Sequence, residues 1–308
     1  MSKRVGFMFA GQGAQSVGMG KDLAETFPSA RAVFDEADRV LQRDVSGLCF
    51  TGPLEKLTLS ANCQPAIYTM SLACLAALKS ACPIEPSACA GLSLGEYAAL
   101  TAADALDFAA GIRLVAARGA LMHDACRSSS GAMAAILKAD PQKVEATCAA
   151  HGVDVANYNC PGQIVISGTR EAVAACAEAL KAGGDVKVIM LQVDGAFHSR
   201  LMQPAADRFG AALAQAPLRQ PRCPVAQNVT GSLVDDPEAI RVNLGRQITG
   251  SVRWEACVRA MQDRGLDALI ELGPGQVLSK FMKQISRDFP CYNVATAADV
   301  AKVAAALA

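Results

Sequence analysis

The hydrophobic and polar positions along the first part of the chain predict short buried strands that alternate with longer helices. Two apolar runs, at residues 5–10 and 88–90, are short enough for buried strands, and each ends at a glycine-containing loop. Helices are predicted at residues 24–41, 64–81, 94–103 and 107–125. In the second helix, Pro65 falls in the first turn, where proline is tolerated. Strands that alternate with helices are typical of a mostly parallel sheet covered on both faces, so we predict an α/β fold.

The order of the predicted elements changes between residues 131 and 191. Strands and helices are predicted there in the order β-α-β-β-α-β, at residues 132–137, 141–150, 153–157, 163–167, 171–182 and 186–191. This order is the ferredoxin-like arrangement of a small domain. We therefore predict an inserted subdomain at residues 129–194 within a large domain made of residues 1–128 and 195–308. After the insert, the large domain is predicted to contain a helix at residues 202–216, a short strand around Val225 and a last strand at residues 268–272.

The stretch Gly91-Leu92-Ser93-Leu94-Gly95 lies between a predicted strand and a predicted helix. Glycine on both sides allows a turn that is too sharp for residues with a Cβ atom, and such a turn lifts the serine hydroxyl out of the fold. A strand, a tight turn and a helix make a nucleophile elbow, with the N-terminus of the helix beneath the reacting carbonyl. The pattern is only moderately specific, because small residues flank serine in many ordinary loops.

A serine nucleophile needs a base, usually a histidine, because its free hydroxyl is weakly nucleophilic at neutral pH. The chain has 3 histidines. His151 closes a polar helix before a glycine and fits a solvated position, and His123 lies at the end of a long helix and fits a surface position. His198 follows a strand and a glycine in a loop of the large domain, where active-site residues of α/β folds gather. We therefore predict His198 as the base.

The order of these residues along the chain distinguishes between reaction classes. In an α/β-hydrolase, the serine is followed by an acid and then by a histidine near the end of the chain. Here no histidine follows His198. This order weakens an ordinary lipase or esterase assignment, and it allows the group that orients His198 to be a backbone carbonyl or an amide instead of a carboxylate.

Arg118 lies in a helical segment that is otherwise almost wholly apolar. Its neighbours three and four positions away are Leu114, Val115, Leu121 and Met122, so no acid on the same helix can neutralise it. Such a guanidinium reaches water, forms a distant salt bridge or faces an anion. The functional alternative is a bidentate clamp on a substrate carboxylate, which the geometry of arginine suits.

The loop Gly11-Gln12-Gly13 follows the first predicted strand. A loop of this kind can present a backbone N–H to an oxyanion, beside the N–H of Leu94, the residue after the serine. On its own the pattern is a weak signal that more often marks a turn.

Composition limits the classes of function. Lys+Arg 29 against Asp+Glu 29 leaves no net charge, so neither nucleic acid nor an anionic membrane surface is indicated. The apolar stretches are too short to span a bilayer, and the N-terminal run lacks a cleavage site, so we expect a cytoplasmic protein. The 12 cysteines are scattered singly, which argues against a zinc site and against disulfides.

Together these residues resemble the malonyl-CoA:acyl-carrier-protein transacylases of fatty-acid synthesis, nearly from end to end. The matching motifs are Phe9-Ala10-Gly11-Gln12-Gly13-Ala14-Gln15, Gln64-Pro65-Ala66, Ser93-Leu94-Gly95-Glu96-Tyr97, Arg118-Gly119, Asn159 with Pro161 and Gln163 before Val165-Ile166-Ser167-Gly168, Gly195-Ala196-Phe197-His198-Ser199, Asn228-Val229-Thr230-Gly231, Gln247 with Val252-Arg253-Trp254, and Glu271-Leu272-Gly273-Pro274-Gly275. The resemblance implies an α/β-hydrolase-like large domain with a ferredoxin-like insert, in agreement with the predicted order of elements.

The resemblance also implies a reaction. Ser93 would be the acylated nucleophile, His198 its general base and acid, and Gln247 part of the segment that positions His198. Arg118 would pair with the free carboxylate of a malonyl group. Malonyl-CoA and acyl carrier protein would be the partners, no cofactor would be needed beyond the coenzyme A thioester substrate, and a monomer is the working expectation.

The remaining implied roles concern the acyl group. The backbone N–H groups of Gln12 and Leu94 would form the oxyanion hole, and Phe197 resembles the form that accompanies malonyl rather than methylmalonyl selectivity. Leu92 departs from the family, which usually has histidine there, and Gly250-Ser251 replaces the usual Ser-Pro, so the loop near Gln247 is expected to be less rigid.

Two other functions stay open at this point. A thioesterase or esterase could use the same elbow if water reached the acyl-serine. A non-catalytic module that binds a carrier protein could retain the fold, although the presence of Ser93, His198 and Arg118 together argues against it.

Overall fold

The computed structural model describes residues 3–184, 186–193 and 195–307 of the chain, and their strands form two sheets. The strands are β1 (Val5–Phe9), β2 (Pro86–Gly91), β3 (Gly131–Leu137), β4 (Asp154–Cys160), β5 (Gln163–Thr169), β6 (Lys187–Met190), β7 (Val225–Gln227), β8 (Ser232–Val234), β9 (Ala268–Leu272) and β10 (Cys291–Val294).

The helices surround these sheets. They are α1 (Lys21–Thr26), α2 (Pro28–Leu41), α3 (Val45–Thr51), α4 (Leu54–Thr58), α5 (Ser60–Ala81), α6 (Gly95–Ala102), α7 (Phe108–Arg127), α8 (Pro141–His151), α9 (Arg170–Ala182), α10 (Gln203–Gln215), α11 (Pro237–Gln247), α12 (Trp254–Gln262), α13 (Val277–Ile285) and α14 (Ala297–Leu307), with a short 3₁₀ turn at Arg200–Met202.

The larger sheet has six strands in the order β10-β9-β1-β2-β7-β8. Every neighbouring pair is parallel except β7 and β8, which are antiparallel. All five residues of the central strand β1 are buried, as expected for a parallel strand covered on both faces. The predicted α/β fold with a mostly parallel sheet is therefore confirmed.

The register of β1 and β2 positions the site. Phe9 lies opposite Gly91, so both strands end at the same level. Because the carboxyl ends of parallel strands share one edge of the sheet, the loop after β1 and the turn after β2 lie side by side.

The smaller sheet has four strands in the order β4-β5-β3-β6, and all its pairs are antiparallel. Alternate residues of β3 face opposite sides. Ala134 and Ile136 pack in a separate apolar cluster with α8 and α9, whereas Met133 and Ala135 join the main core. One face of this sheet therefore closes its own small core, and the other packs against the rest of the molecule.

Two predicted helices begin at other residues in the structure. The helix predicted at residues 24–41 is two helices, because Phe27 adopts an extended conformation before Pro28. The helix predicted to open at Gln64-Pro65 begins at Ser60, with Pro65 inside it. Proline has no N–H for the carbonyl of Ala61, and the Arg43 guanidinium donates to that carbonyl instead at 3.4 Å.

The strand at Ala268–Leu272 was predicted to be the last, and this prediction is wrong. Strand β10 follows it and pairs with it in parallel. Three of its four residues are only partly buried, so its pattern lacks the continuous apolar run that marks β1. The sequence also did not predict β8 or the helices α3, α4 and α11 to α14.

Ten of the twelve cysteines are buried, where a free cysteine behaves as a small apolar side chain. Within the described ranges, no helix combines the length and the apolar character that crossing a bilayer requires.

Candidate active site

The turn that carries Ser93 is too closely packed for a side chain at either flanking glycine. A Cβ atom on Gly91 would overlap the carbonyl group of Gly95, and a Cβ atom on Gly95 would lie 2.8 Å from the carbonyl oxygen of Ala10. The positive φ angle of the turn, 54°, belongs to Ser93 itself. The glycines are therefore required by close backbone approach, and the left-handed conformation falls on the serine.

The Ser93 hydroxyl contacts the imidazole of His198, with 2.7 Å between Oγ and Nε2. The other ring nitrogen, Nδ1, lies 2.8 Å from the backbone carbonyl oxygen of Gln247 and 3.2 Å from that of Gly250. Carbonyl oxygens only accept hydrogen bonds, so Nδ1 carries the proton and Nε2 of the neutral ring accepts from the serine. This arrangement suits a general base.

Burial strongly affects the titration of His198. The side chain is buried, and this burial, followed by the positive charge of Arg118, lowers its pKa to about 4. The hydrogen bonds to the two backbone carbonyls act in the opposite direction but are smaller. The ring is therefore neutral, and able to accept a proton, at neutral pH.

Arg118 is buried beside the serine, with 1 % of its surface exposed. Its guanidinium donates to Gln64 Oε1 at 2.7 Å, to Ser93 Oγ at 3.0 Å and to Gln247 Oε1 at 3.0 Å. It also lies 5.6 Å from the centre of the Tyr97 ring. None of the ion pairs among the described residues includes Arg118. A buried cation whose hydrogen bonds all go to neutral groups favours an added anion.

Gln247, at the end of α11, contacts three other groups of the site. Its backbone carbonyl accepts from His198, its Oε1 accepts from Arg118, and its Nε2 donates to the backbone carbonyl of Ser93 at 3.0 Å. The Ser93 carbonyl and the Leu94 N–H belong to one planar peptide group. By holding the carbonyl, Gln247 also fixes the direction of the Leu94 N–H.

The loop after Gln247 is anchored to the smaller sheet. The hydroxyl of Ser251 donates to the Val155 carbonyl at 2.6 Å, and the N–H of Val252 donates to the Ala156 carbonyl at 2.8 Å. These bonds hold the segment that presents the Gly250 carbonyl to His198.

The backbone N–H groups of Gln12 and Leu94 lie in the neighbouring loops that follow β1 and β2. The two loops are tied by a hydrogen bond from the Leu92 N–H to the Phe9 carbonyl at 3.1 Å. In the part of the chain that the structure describes, neither the Gln12 N–H nor the Leu94 N–H donates to another protein group. Both donors remain available to an oxygen of a ligand.

A cavity of about 330 Å³ opens above Ser93, between the larger and the smaller sheet. Apolar side chains from both parts of the molecule line it: Leu92, Met122, Met133, Val165, Leu191, Val193, Phe197, Val277 and Phe281. Asn157 and Asn159 of β4 add amide groups. His123, which was expected at the surface, is only partly exposed and also lines this cavity.

The structure brings together Ser93, His198, Gln247 and Arg118, and it places the loop of Gln12 next to them. Sequence reasoning gave no role to three further residues: Gln64, which accepts from Arg118, Asn228, which accepts from the Ser93 N–H, and Glu96, which accepts from the Asn228 N–H. The sequence feature that could have indicated them is a polar side chain within a helix, or at a strand end, whose other residues are buried.

Among the described residues, no cluster of three or more histidine, cysteine, aspartate or glutamate side chains could hold a metal ion.

Comparison with known proteins supports a single family. The family model described as acyl transferase domain matches residues 6–306. The malonyl CoA-acyl carrier protein transacylase of Bacillus subtilis (strain 168) is 42% identical over 292 residues, which cover 93% of this chain and 92% of that protein.

Solved structures of malonyl transacylases are also similar to this chain. The malonyl CoA-acyl carrier protein transacylase of Coxiella burnetii has a TM-score of 0.96 and 32% identity, covering 100% of this chain and 98% of that one. A malonyl-transacylase in complex with its type II PKS acyl-carrier protein has a TM-score of 0.95 and 36% identity, covering 98% of this chain and 99% of that one.

Proposed function

This chain belongs to the acyl transferase domain family, and we propose that it transfers a malonyl group from malonyl-CoA to the phosphopantetheine thiol of acyl carrier protein. The relatives at 42% and 40% identity carry the name of this activity, and the structural neighbour with a bound carrier protein supports the same acceptor. The observation that carries the proposal is the buried Arg118, whose guanidinium lies 3.0 Å from the Ser93 hydroxyl without a carboxylate partner.

The first half of the reaction acylates the enzyme. His198 Nε2 takes the proton from Ser93 Oγ while Oγ attacks the thioester carbonyl of malonyl-CoA. The N–H groups of Gln12 and Leu94 stabilise the negative oxygen of the tetrahedral intermediate. When the C–S bond breaks, His198 returns the proton to the sulfur, and coenzyme A leaves as a thiol.

The second half reverses these steps with a different thiol. The phosphopantetheine sulfhydryl of acyl carrier protein gives its proton to His198 and attacks the malonyl-serine ester. Collapse of the second tetrahedral intermediate breaks the C–O bond, and His198 returns the proton to Ser93 Oγ. The protein groups end where they began, so the cycle needs no cofactor beyond the two thiols.

Arg118 selects the acyl group in this proposal. A malonyl carboxylate replaces the neutral partners of the guanidinium with a bidentate ion pair. An acetyl group has no charge to offer, so its transfer would leave the buried cation unpaired. Phe197 and Leu92 both line the cavity, and we assign to Phe197 the preference for malonyl over methylmalonyl.

We also propose the finer description of the fold. The order β4-β5-β3-β6 and the two helices on one face support a ferredoxin-like insert. The parallel sheet with a serine elbow after β2 supports an α/β-hydrolase-like large domain. We place the boundaries at residues 1–128 and 195–308 for the large domain and 129–194 for the insert; Asp194 lies outside the described residues.

A transfer assay tests the function. Malonyl-, methylmalonyl- and acetyl-CoA are offered in turn with a purified carrier protein, and mass spectrometry follows both proteins. We expect malonyl transfer to dominate, with a transient mass increase on the peptide that contains Ser93. No transfer, or labelling of another residue, would contradict the proposal.

The alternatives give different results in the same assay. A thioesterase would hydrolyse the acyl-serine quickly without a carrier protein, whereas a transferase retains the acyl group until a thiol arrives. A non-catalytic carrier-protein-binding module would bind the carrier protein without turnover.

A further inference from the structure

Asn228, the residue that follows β7, has all four of its polar groups in hydrogen bonds, and two of these bonds hold the serine turn. Its side-chain Nδ2 donates to the Gly91 carbonyl at 2.8 Å, and its Oδ1 accepts from the Ser93 N–H at 2.7 Å. Its backbone carbonyl accepts from the Arg253 N–H at 2.8 Å. The side-chain amide therefore spans the turn from residue 91 to residue 93.

The Asn228 side chain takes the place of backbone hydrogen bonds between β2 and β7 beyond the point where these two strands pair. Strands β2 and β7 pair at Cys89 with Val225 and at Ala90 with Ala226. One step further, β2 bends into the turn and can no longer form a regular ladder. The Asn228 amide offers the missing donor and acceptor to the bent backbone.

Ser93 needs such support because its φ angle is 54°. The left-handed conformation is unfavourable for a residue with a Cβ atom, so surrounding contacts must maintain it. Its N–H is held by Asn228 and its carbonyl by Gln247. Both holders come from segments more than a hundred residues away along the chain.

Glu96 holds Asn228 in turn. Its Oε2 accepts from the Asn228 backbone N–H at 2.7 Å, and the side chain is only 1 % exposed. The second carboxylate oxygen, Oε1, has no hydrogen-bond partner among the described residues. Burial raises the pKa of Glu96 to about 7. A carboxyl group in either protonation state can still accept from an amide N–H.

We propose that Glu96 and Asn228 are positioning residues that hold Ser93 in its left-handed conformation, with the hydroxyl directed at His198. Glu96 fixes the backbone of Asn228, and the Asn228 amide fixes the backbone of Ser93. Neither side chain touches the substrate in this scheme. The inference rests on the proposed role of Ser93 as the acylated nucleophile.

The test compares variants that keep or remove one hydrogen bond. Glu96→Gln keeps an acceptor for the Asn228 N–H, Glu96→Met removes it at similar size, and Asn228→Ala removes both contacts to the turn. Gln227→Ala is the matched control, because Gln227 is an adjacent buried amide whose side chain has no hydrogen-bond partner among the described residues. Rapid quenching and mass spectrometry give the rate constant of Ser93 malonylation at saturating malonyl-CoA.

A misplaced nucleophile should lower the acylation rate constant by about tenfold or more in Asn228→Ala and Glu96→Met, with the KM for malonyl-CoA nearly unchanged. Glu96→Gln and Gln227→Ala should stay close to the wild-type rate. A wild-type rate in both Asn228→Ala and Glu96→Met would overturn the proposal, and so would a Glu96→Gln variant as slow as Glu96→Met. Thermal melting identifies any variant that does not fold. If Asn228→Ala or Glu96→Met does not fold, the acylation rate constant of the other variant tests the proposal.

A second readout separates this inference from the proposed function. Phenylmethylsulfonyl fluoride labels an activated serine without any acyl substrate, and its rate of reaction with Ser93 should fall in the same variants. If the wild-type protein reacts with this reagent but not with malonyl-CoA, the proposed function is wrong. The sulfonylation rates of the variants then still test the positioning role. If malonyl transfer is intact and the variants react with both reagents as fast as the wild type, the positioning role fails.

Discussion

The Arg118 guanidinium donates a hydrogen bond to the Ser93 hydroxyl across 3.0 Å. The group that would hold the substrate carboxylate therefore also contacts the nucleophile before substrate binds. In the proposed function, a malonyl carboxylate would accept hydrogen bonds from the same guanidinium, while the Ser93 hydroxyl keeps its 2.7 Å contact with His198 Nε2. We therefore propose that one side chain both recognises the acyl group and contacts the nucleophile.

Arg118→Ala should reduce malonyl transfer by about 100-fold, which corresponds to about 3 kcal/mol, while acetyl transfer changes much less. The reason is that only the malonyl group forms a charged contact with the guanidinium. The measurement is kcat/KM with malonyl-CoA and acetyl-CoA.

The matched control for this change is Arg113→Ala, an exposed arginine five positions earlier on the same helix, which should behave like the wild type. An unchanged ratio of malonyl to acetyl transfer in Arg118→Ala would disprove the clamp.

The reaction of Ser93 should depend little on pH between about pH 5 and 8, because burial and the Arg118 charge hold the pKa of His198 near 4. In Arg118→Ala the charge is gone, so the pKa of His198 should rise and the acid limb of the profile should move to higher pH. The measurement is the pH dependence of the sulfonylation rate of Ser93, which needs no carboxylate substrate. A wild-type acid limb near pH 6.5, or an unmoved limb in the variant, would contradict this prediction.

Glu96 should make the stability of the fold depend on pH. Its pKa is raised from 4.5 to about 7 in the folded protein, so its contribution to stability is complete below pH 4.5 and is lost as the pH rises through 7. From about pH 5 to 8, the free energy of unfolding of the wild type should therefore fall relative to that of Glu96→Gln by roughly 2.5 kcal/mol. Urea unfolding of both proteins at the two pH values measures the difference, and parallel pH profiles would refute it.

The glycines of the serine turn should tolerate no side chain. Gly91→Ala should destabilise the protein by more than about 3 kcal/mol or prevent folding, because the new Cβ atom overlaps the Gly95 backbone. Gly210→Ala in α10 is the control, since nothing lies within 4 Å of its Cβ position. That change should stabilise the protein by about 0.5–1 kcal/mol, because alanine favours a helix interior. Equal thermal stability of the two variants would contradict this account.

Local patterns in the sequence determined most of the α/β framework. The buried runs at β1 and β2, the serine turn between glycines and the β-α-β-β-α-β order of residues 131–191 are readable because each depends on neighbours within a few positions. The same locality explains the failures. The start of α5 at Ser60 and the partly polar strand β10 depend on contacts with other segments, such as Arg43 with the Ala61 carbonyl and β10 with β9. The break at Pro28 is local, because the residue before a proline disfavours the helical conformation, and the predicted helix overlooked it.

Only the tertiary structure decided how the site is assembled. The sequence singled out Ser93, His198 and Arg118 by residue type and position and predicted His198 as the base, but it did not predict that Arg118 contacts the Ser93 hydroxyl. The backbone carbonyls that orient His198 belong to Gln247 and Gly250, and a backbone carbonyl has no signature of its own in a sequence. The support of Ser93 by Asn228 joins residues 135 positions apart. Such contacts arise where the carboxyl ends of parallel strands meet, so the folded sheet sets them rather than any local pattern.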